Sequence, residues 1–252
     1  MICRQELLGV QVDPRTISEL NDCIVEACDL KEHWIIANHN VHSVYLYHHD
    51  AKMRRFFSRA KVIHVDGMAL VFLGRMLGQG FTREHRVTYV DWVQPLLQKA
   101  RENNWRVYYL GGEPGVAERA AQILRGNIQG LRLKVRDGYF DVLGAGNDTV
   151  LADIREFRPH ILMIGMGMPR QEHWILNNLE ELEAHAILTA GACFDYVAGS
   201  VPTPPRWLAR LGFEWLFRLC SEPKRLWRRY LIEPWFVLGL LLRDLRRHRT
   251  KA

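Results

Sequence analysis

Cysteine is scarce in this chain, and its five cysteines are an odd, scattered set without a C-x-x-C pair. Such a set argues against a disulfide framework and against a zinc knuckle. Long hydrophobic runs are also absent. The N-terminal residues lack the continuous apolar core of a signal peptide, and nowhere do about 18 apolar residues run together, as a membrane-spanning helix requires. We therefore expect a protein of a reducing, cytosolic compartment that is neither secreted nor transmembrane.

Basic charge is concentrated at one end of the chain. The formal net charge is +6. Residues 206–252 hold 12 Lys or Arg against 4 Asp or Glu, a net of +8, whereas residues 1–205 hold 22 against 24, a net of −2. This asymmetry predicts a polyanionic partner for the C-terminal segment, either nucleic acid or an anionic membrane surface.

Apolar strands and amphipathic helices alternate through the first 200 residues. Runs such as HWIIAN, KVIHV, WRVYYL and HILMIG are typical of buried strands, and ISELNDCIVEAC repeats apolar residues at helical spacing. Such alternation predicts an α/β domain, residues 1–200, with a Rossmann-like, doubly wound and mainly parallel sheet. LLGVQVD is expected to be one short strand and VHSVYLYHHDAKMRRFFSRA one helix. Residues 165–172 are expected to be a loop.

Small and polar residues follow several of the predicted strands. Asp66-Gly67 ends KVIHVDG, Asn38-His39-Asn40 ends HWIIAN, and Ala190-Gly191-Ala192 ends a later strand. Because the carboxyl ends of parallel strands meet at the edge where open α/β sheets bind ligands, Asp66 is a candidate general base. The alternative is that Asp66-Gly67 is only a turn, for which both residues are common.

Glycines shape two further strand ends. The segment Gly111–Gly115 leads into a helix with Pro114 near its start, which suits an anion at the helix N-terminus, although a plain tight turn explains it equally well. No Lys-Ser or Lys-Thr follows, so it is not a P-loop. After Gly165 and Gly167, Arg170 occupies the place of a third glycine, which argues against a dinucleotide turn. Tyr139 either stacks on a base or packs.

The character of the chain changes at residue 201. Prolines at 202, 204 and 205 form a connector, and residues 206–252 combine arginines with half of the eight tryptophans. This mixture is typical of helices that lie in a membrane interface. The apolar run Trp235–Leu242 is too short to span a bilayer. We predict that residues 201–252 form a basic, Trp-rich, membrane-associating helical appendage; the alternative is an amphipathic capping helix with solvated charge.

Eight segments resemble, in order, the motifs of the WecG/TagA/CpsF glycosyltransferase family. They are ANHNVHSVY, HVDG, HRVTYVD, YLGGEPGVAERAA, DGYF, IGMGMPRQEHWI, GACFDYVAGSVPTPPRW and EWLFRLCSEPKRLWRRY, and the match as a whole spans roughly residues 8–233. The resemblance implies an inverting transferase of bacterial polysaccharide synthesis. It would move glucose, N-acetylmannosamine or its uronic acid from a UDP-sugar to an undecaprenyl-diphosphate-linked saccharide, and the choice of sugar is open.

The resemblance also implies residue roles. Asp66 would take the proton of the acceptor hydroxyl, with Asn40 as the second catalytic residue. Asn38 stands where the family has threonine, so its donor contact is open. The donor would lie against Asn38, Arg86, Gly111, Gly112, Tyr139, Gly167, Gln171 and Asp195. The acceptor diphosphate would lie against Arg218, Arg225 and Arg228.

No metal or other cofactor is expected, because the sequence has no D-x-D motif. Arginines and backbone amides would stabilise the departing UDP instead. The enzyme would act from the inner face of the bacterial plasma membrane, without a nucleic-acid partner, and a homo-oligomer is left open. Two other functions stay open: a nucleic-acid-binding protein that uses the basic segment, and a nucleotide-dependent oxidoreductase or epimerase. Neither predicts the P-R-Q-E and E-P-x-R elements.

Overall fold

The computed structural model describes residues 4–202, residue 208 and residues 214–249. Its strands, in chain order, are β1 (Gln5–Leu7), β2 (Val10–Val12), β3 (Trp34–His39), β4 (Val62–Val65), β5 (Arg106–Gly111), β6 (Arg132–Arg136), β7 (Ile161–Gly165) and β8 (Ala186–Thr189). Strands β3 to β8 form one sheet, and β1 pairs with β2 in a separate antiparallel hairpin.

Helices surround the sheet. They are α1 (Ile17–Leu30), α2 (Val41–His49), α3 (Ala51–Arg59), α4 (Met68–Met76), α5 (Tyr89–Glu102), α6 (Val116–Asn127), α7 (Ala145–Phe157), α8 (Arg170–Asn178), α9 (Cys193–Val197), α10 (Glu214–Ser221), α11 (Pro223–Trp227) and α12 (Glu233–Arg249). Short 3₁₀ turns lie at Arg83–His85 and Leu179–Glu181, and a π-helical stretch at Arg228–Ile232 leads into α12.

The main sheet is parallel throughout, with the strand order β4-β3-β8-β7-β5-β6. From β3 the chain moves to the edge strand β4, and from β5 it moves to the opposite edge strand β6, so the two halves wind in opposite directions as in doubly wound folds. Strands β7 and β8 then lie between the two pairs. Every residue of β3, β4, β7 and β8 is buried. Strands covered on both faces are apolar at most positions, which explains their long apolar runs; the buried polar exceptions are Asn38, His39, His64 and Thr189. The predicted α/β fold is confirmed.

Each face of the sheet has its own hydrophobic cluster. In β5, Val107 and Tyr109 belong to the cluster beneath α1, α5 and α6, whereas Tyr108 and Leu110 belong to the cluster beneath α3, α7 and α8. This alternation follows from the two-residue period of a strand. A fully buried aliphatic or aromatic side chain contributes roughly 1.5–3 kcal/mol. Packing from both sides therefore fixes where each strand ends, and with it the position of the residues that follow.

Three expectations about individual elements are wrong. The segment LLGVQVD is not one strand, because Leu8 (φ 56°) and Gly9 (φ 76°) make a tight turn between β1 and β2. The helix expected over residues 41–60 is divided at Asp50, whose extended backbone ends α2 and whose Oδ1 accepts a hydrogen bond from the Lys52 N–H to cap α3 (2.7 Å). Residues 170–172 begin α8 and are not a loop. The sequence patterns also missed α7.

Helix α12 packs on the main body of the chain. Its Val237, Leu240 and Leu241 share a third hydrophobic cluster with the β1–β2 hairpin and with α4. Phe236 meets the Tyr45 ring of α2 edge to face, with ring centroids 5.5 Å apart. Residues 203–207, which hold most of the predicted proline connector, lie outside the described part, and the domain boundary at residue 200 stays a prediction. No described helix is long and apolar enough to cross a membrane.

Buried His64 makes folding stability depend on pH. Its ring on β4 is fully buried against Trp92, and neither ring nitrogen has a hydrogen-bond partner among the described residues. Burial lowers the pKa of His64 to about 4. Histidine in the unfolded chain has a pKa near 6.5, so between about pH 6.5 and 4 the unfolded state binds a proton that the folded state does not. This contribution to stability is lost as pH falls through that window.

We expect His64→Leu to reduce the loss of unfolding free energy between pH 7.5 and pH 5 by about 1–2 kcal/mol, measured by urea unfolding at both pH values. The control is His49→Leu, at an exposed position on α2. Equal pH dependence in the wild type and in His64→Leu would contradict the assignment.

Candidate active site

A cleft of about 940 Å³ lies at the carboxyl ends of the parallel strands. Its wall includes residues just after β3, β4, β5 and β8, namely Asn40, Asp66, Gly112 and Ala190. The C-terminal segment covers part of the cleft from the other side, through Arg218, Ser221, Glu222, Leu226, Arg228, Arg229, Ile232 and Glu233. The rim expected from the strand ends is therefore one continuous site, closed by residues far away in the sequence.

Two asparagine amides hold the Asp66 carboxylate. Oδ2 of Asp66 accepts hydrogen bonds from Nδ2 of Asn38 (3.3 Å) and from Nδ2 of Asn40 (3.4 Å). The oxygen end of each amide is engaged as well, because Asn38 Oδ1 accepts from the Thr189 hydroxyl (2.9 Å) and Asn40 Oδ1 accepts from the Ser43 N–H (3.0 Å). Both amides must therefore turn their N–H ends towards Asp66. These neutral donors position the carboxylate without cancelling its charge.

Asn40 also starts helix α2. Its side chain and that of Ser43 cap each other's backbone N–H groups, which forms a capping box at the helix N-terminus. Asp66 is followed by Gly67, whose φ of +97° allows the chain to turn directly into α4. The backbone bends at Gly67, and Asp66 lines the cleft.

Helices α4, α6 and α8 begin near the cleft without a side-chain cap, after Gly67, Gly115 and Pro169. Backbone N–H groups at an uncapped helix N-terminus, together with the helix dipole, favour an anion. Gly112 (φ +72°) and Gly167 (φ +77°) both line the cleft, in a backbone conformation that glycine adopts without strain. Together these features suit a phosphate group.

Gly111 lies behind the cleft wall. A methyl carbon at this position would overlap the backbone of Gly165 on the neighbouring strand β7. A methyl carbon on Gly165 would in turn overlap the Tyr109 ring hydroxyl and the carbonyl oxygen of Gly191. Gly111 therefore shapes the floor of the cleft without lining it, and its predicted donor contact stays a prediction.

Gln171 and Tyr139 both line the cleft, but in different ways. Gln171 is only 1% exposed, and its Oε1 accepts hydrogen bonds from the N–H groups of Gly167 and Gly191 (both 3.2 Å). Tyr139 is 63% exposed, with the Arg170 guanidinium 5.9 Å from its ring centroid. An exposed ring at the edge of a polar cleft can stack on a planar group such as a base, whereas packing does not explain its position.

The arginines assigned by the sequence divide into three cases. Arg218 and Arg228 line the cleft, and the Arg218 guanidinium lies 5.1 Å from the Tyr196 ring centroid. Arg86 does not line it; its side chain pairs with Asp91 (3.1 Å), next to the end of β4. The side chain of Arg225 lies outside the described residues. Asp195, assigned to the donor, is part of the cleft wall.

Sequence reasoning missed several residues of the cleft. Thr189 orients Asn38 through a hydrogen bond. It is the last residue of β8, as Asn38 is the last but one of β3, so the pattern of polar residues at strand ends could have revealed Thr189. Tyr89 has a buried hydroxyl without a hydrogen-bond partner among the described residues, and burial raises the pKa of Tyr89. His42 Nδ1 lies 2.7 Å from Glu233 Oε2. This contact joins α12 to the first turn of α2 across 191 residues of sequence, and no local sequence pattern predicts it.

The described residues contain no group of three or more His, Cys, Asp or Glu side chains that could hold a metal ion. His39 illustrates why the histidines near residue 40 do not form such a metal-binding group. Its ring is fully buried and stacks on Phe57, with ring centroids 3.9 Å apart, and its Nδ1 faces the Ser43 hydroxyl (2.9 Å). Burial lowers the pKa of His39 to about 3.

Comparison with known proteins gives one consistent result. The family model described as the glycosyl transferase WecG/TagA/CpsF family matches residues 5–251. Three proteins of Staphylococcus aureus, from strains MW2, NCTC 8325 / PS 47 and COL, are each described as an N-acetylglucosaminyldiphosphoundecaprenol N-acetyl-beta-D-mannosaminyltransferase. Each is 26% identical to this chain over 226 residues, which cover 88% of this chain and 87% of the relative.

The close approach of β5 and β7 predicts the effect of a single methyl group. We expect Gly111→Ala to lower the free energy of unfolding by about 3 kcal/mol or more, because backbone atoms cannot move aside as a flexible side chain can. The matched control is Gly126→Ala in α6, where a methyl carbon meets nothing within 4 Å. That change should stabilise the protein by up to about 1 kcal/mol, because alanine is the better helix former. Urea unfolding measures both, and equal stability of the two variants would contradict the packing described.

Proposed function

The chain belongs to the WecG/TagA/CpsF family of glycosyltransferases, and from this premise we propose that it transfers a sugar from a UDP-sugar to a saccharide on a lipid diphosphate, with inversion and without a metal ion. The family predicted from the motifs is confirmed. The curated relatives act, by their descriptions, on a lipid-linked N-acetylglucosamine. The observation that carries the proposal for this chain is the Asp66 carboxylate, held by two asparagines in a cleft that arginines of the C-terminal segment also line.

Asp66 is the proposed general base. As the acceptor oxygen attacks the anomeric carbon, its hydroxyl proton passes to an Asp66 carboxylate oxygen, and the bond from the anomeric carbon to UDP breaks with its electron pair going to UDP. A single displacement of this kind inverts the anomeric centre. Asn38 and Asn40 keep the carboxylate oriented while its charge changes, since both amides are held at their other ends.

The departing UDP needs its negative charge stabilised. The uncapped N-termini of α6 and α8 offer backbone N–H groups near the cleft, and the backbone of Gly112 and Gly167 lines it. The exposed ring of Tyr139 is the proposed stacking partner of the uracil ring. These groups are the proposed substitute for Mg²⁺. Which sugar the donor carries is not indicated by any of them.

The basic half of the cleft is the proposed acceptor site. Arg218, Arg228 and Arg229 come from the C-terminal segment, and all three line the cleft. Arginine pairs with phosphate oxygens through two parallel hydrogen bonds, which suits a diphosphate. The net +8 charge of residues 206–252 suggested nucleic acid as an alternative. The position of these arginines in the same cleft as Asp66 favours a lipid-linked diphosphate instead.

Loss of the Asp66 carboxylate tests the proposed chemistry. We expect Asp66→Asn to lower turnover by on the order of 10²-fold or more while the Kd of UDP stays within a few-fold of wild type, because a base is removed and the donor site is not. Transfer is measured with a panel of UDP-sugars and a short-chain lipid-diphosphate N-acetylglucosamine.

The control is Asp148→Asn, an exposed carboxylate on α7 outside the cleft, which should keep full turnover. All reactions contain EDTA. Near-normal turnover of Asp66→Asn would remove Asp66 from the mechanism, and activity that returns only with added Mg²⁺ or Mn²⁺ would contradict the metal-independent proposal.

The exposed side of α12 is the proposed membrane contact. Trp235, Leu238 and Leu242 follow one another at helical spacing and are exposed, Trp235 by 72%, while Val237, Leu240 and Leu241 are buried on the other side. Residues 206–252 add the basic charge that attracts anionic lipid, by about 1 kcal/mol for each Lys or Arg near the surface. We propose that the protein binds the inner face of the plasma membrane peripherally through this surface.

Point substitutions suit this question better than truncation, because removing α12 would also expose the third hydrophobic cluster. We expect Trp235→Gln/Leu242→Gln to weaken binding to anionic liposomes about tenfold or more, without changing turnover on a soluble short-chain acceptor. Ile123→Gln, at an exposed apolar position on α6, is the control. Unchanged sedimentation of the double variant with liposomes would contradict the membrane contact.

A further inference from the structure

The Gln171 side chain joins two loops of the cleft. Its Oε1 accepts hydrogen bonds from the N–H of Gly167, in the loop between β7 and α8, and from the N–H of Gly191, in the loop between β8 and α9. Both glycines line the cleft and have positive φ values, +77° and +54°. One oxygen atom therefore holds two loops together that belong to neighbouring strands.

The other end of the Gln171 amide is also fixed. Its Nε2 donates a hydrogen bond to Oε1 of Glu172 (2.8 Å). Two N–H donors face one end of the amide, and a carboxyl oxygen faces the other end. If the amide were flipped, its NH₂ group would face the two donors and its oxygen would face the carboxyl oxygen. Only the unflipped orientation therefore satisfies all three contacts. The amide has little access to water, since Gln171 is almost entirely buried.

Glu172 is unusual because it is a fully buried carboxyl group that forms no salt bridge with any residue the structure describes. Burial raises the pKa of Glu172 to about 7, and its Oε2 has no hydrogen-bond partner among the described residues. Glu172 does not line the cleft, so it cannot contact a ligand there. A buried, incompletely satisfied carboxyl group is costly. Leucine at this position on the apolar side of α8 would be buried at a lower cost in free energy. The feature that glutamate adds is its hydrogen bond with Gln171.

We propose that Glu172 is a positioning residue, which holds the Gln171 amide in the orientation that fixes the N–H groups of Gly167 and Gly191 at the cleft. Without this acceptor, Nε2 of Gln171 would be an unsatisfied buried donor next to a water-filled cleft, and the side chain would turn towards the water. The two glycine N–H groups would then lose their common acceptor, and both loops would relax.

This role differs from the direct donor contact that the family resemblance implies for Gln171. The loop that holds Gly191 is also connected to Asp66. Gly191 lies two residues after Thr189, whose hydroxyl orients Asn38, and Asn38 donates a hydrogen bond to Asp66. The inference rests on the proposed function only in the choice of UDP as the probe.

The test compares UDP affinity, by calorimetry, in variants of the full-length protein. We expect Glu172→Leu to raise the Kd of UDP about tenfold or more, and Glu172→Gln, which keeps an acceptor oxygen at the same place, to stay within about threefold of wild type. Asn178→Leu is the matched control, since Asn178 is a buried amide with hydrogen bonds on the same helix but outside the cleft. It should lower thermal stability and leave the Kd within about threefold.

A double-mutant cycle separates positioning from general destabilisation. If Glu172 acts through Gln171, Gln171→Leu/Glu172→Leu should bind UDP no more weakly than Gln171→Leu alone. Unchanged affinity in Glu172→Leu, equal weakening in Glu172→Gln or in Asn178→Leu, or additive effects in the cycle would each overturn the proposal.

A measurement on the wild-type protein covers the case in which Glu172→Leu does not fold. Hydrogen exchange followed by NMR, without UDP, should show protection of the Gly167 and Gly191 amides and of one Nε2 hydrogen of Gln171. Rapid exchange of that Nε2 hydrogen would overturn the proposal. A wild-type protein that shows this protection but does not bind UDP would contradict the proposed donor and leave the role of Glu172 standing.

Discussion

The parallel register of β3, β4, β5, β7 and β8 is the constraint on which the site depends. Parallel strands end at one edge, and the backbone groups beyond their last ladder hydrogen bonds must find partners in loops, side chains or ligands. In this protein the strand ends are also crowded, because a methyl carbon on Gly111 would overlap the Gly165 backbone and one on Gly165 would overlap Tyr109 and the Gly191 carbonyl oxygen. The result is a cleft whose floor is largely backbone, and backbone N–H groups are its natural means of binding an anion.

Asp66 acquires its proposed role from this setting more than from its own chemistry. A carboxylate at a strand end is common, but here Asn38 and Asn40 are held at their oxygen ends by Thr189 and by the first turn of α2. Donors that are themselves held in one orientation fix the position of a carboxylate more firmly than mobile side chains could. The C-terminal segment then brings arginines over the same cleft, and the His42–Glu233 contact fixes the start of α12 beside Asn40.

Local pattern was enough to predict the sheet, the order of its strands along the chain, and the polar residues at or just after the strand ends, including Asp66, Asn38 and Asn40. It failed where the outcome depended on one residue in an otherwise continuous pattern, as at Asp50, or on an unusual backbone, as at Leu8. It also could not reveal partners that are distant in sequence. Gln171 meets Gly191 twenty residues away, and His42 meets Glu233 only because α12 returns to pack on α2.

The anomeric configuration of the product tests the central claim, that Asp66 acts as a base in a single displacement. The transfer product formed from an α-linked UDP-sugar and a soluble lipid-diphosphate N-acetylglucosamine can be analysed by the one-bond carbon–proton coupling at its new anomeric centre. A β-linked product is predicted, because the acceptor oxygen attacks opposite the departing UDP. An α-linked product would contradict the account, since retention requires either a covalent intermediate or attack from the side of the leaving group.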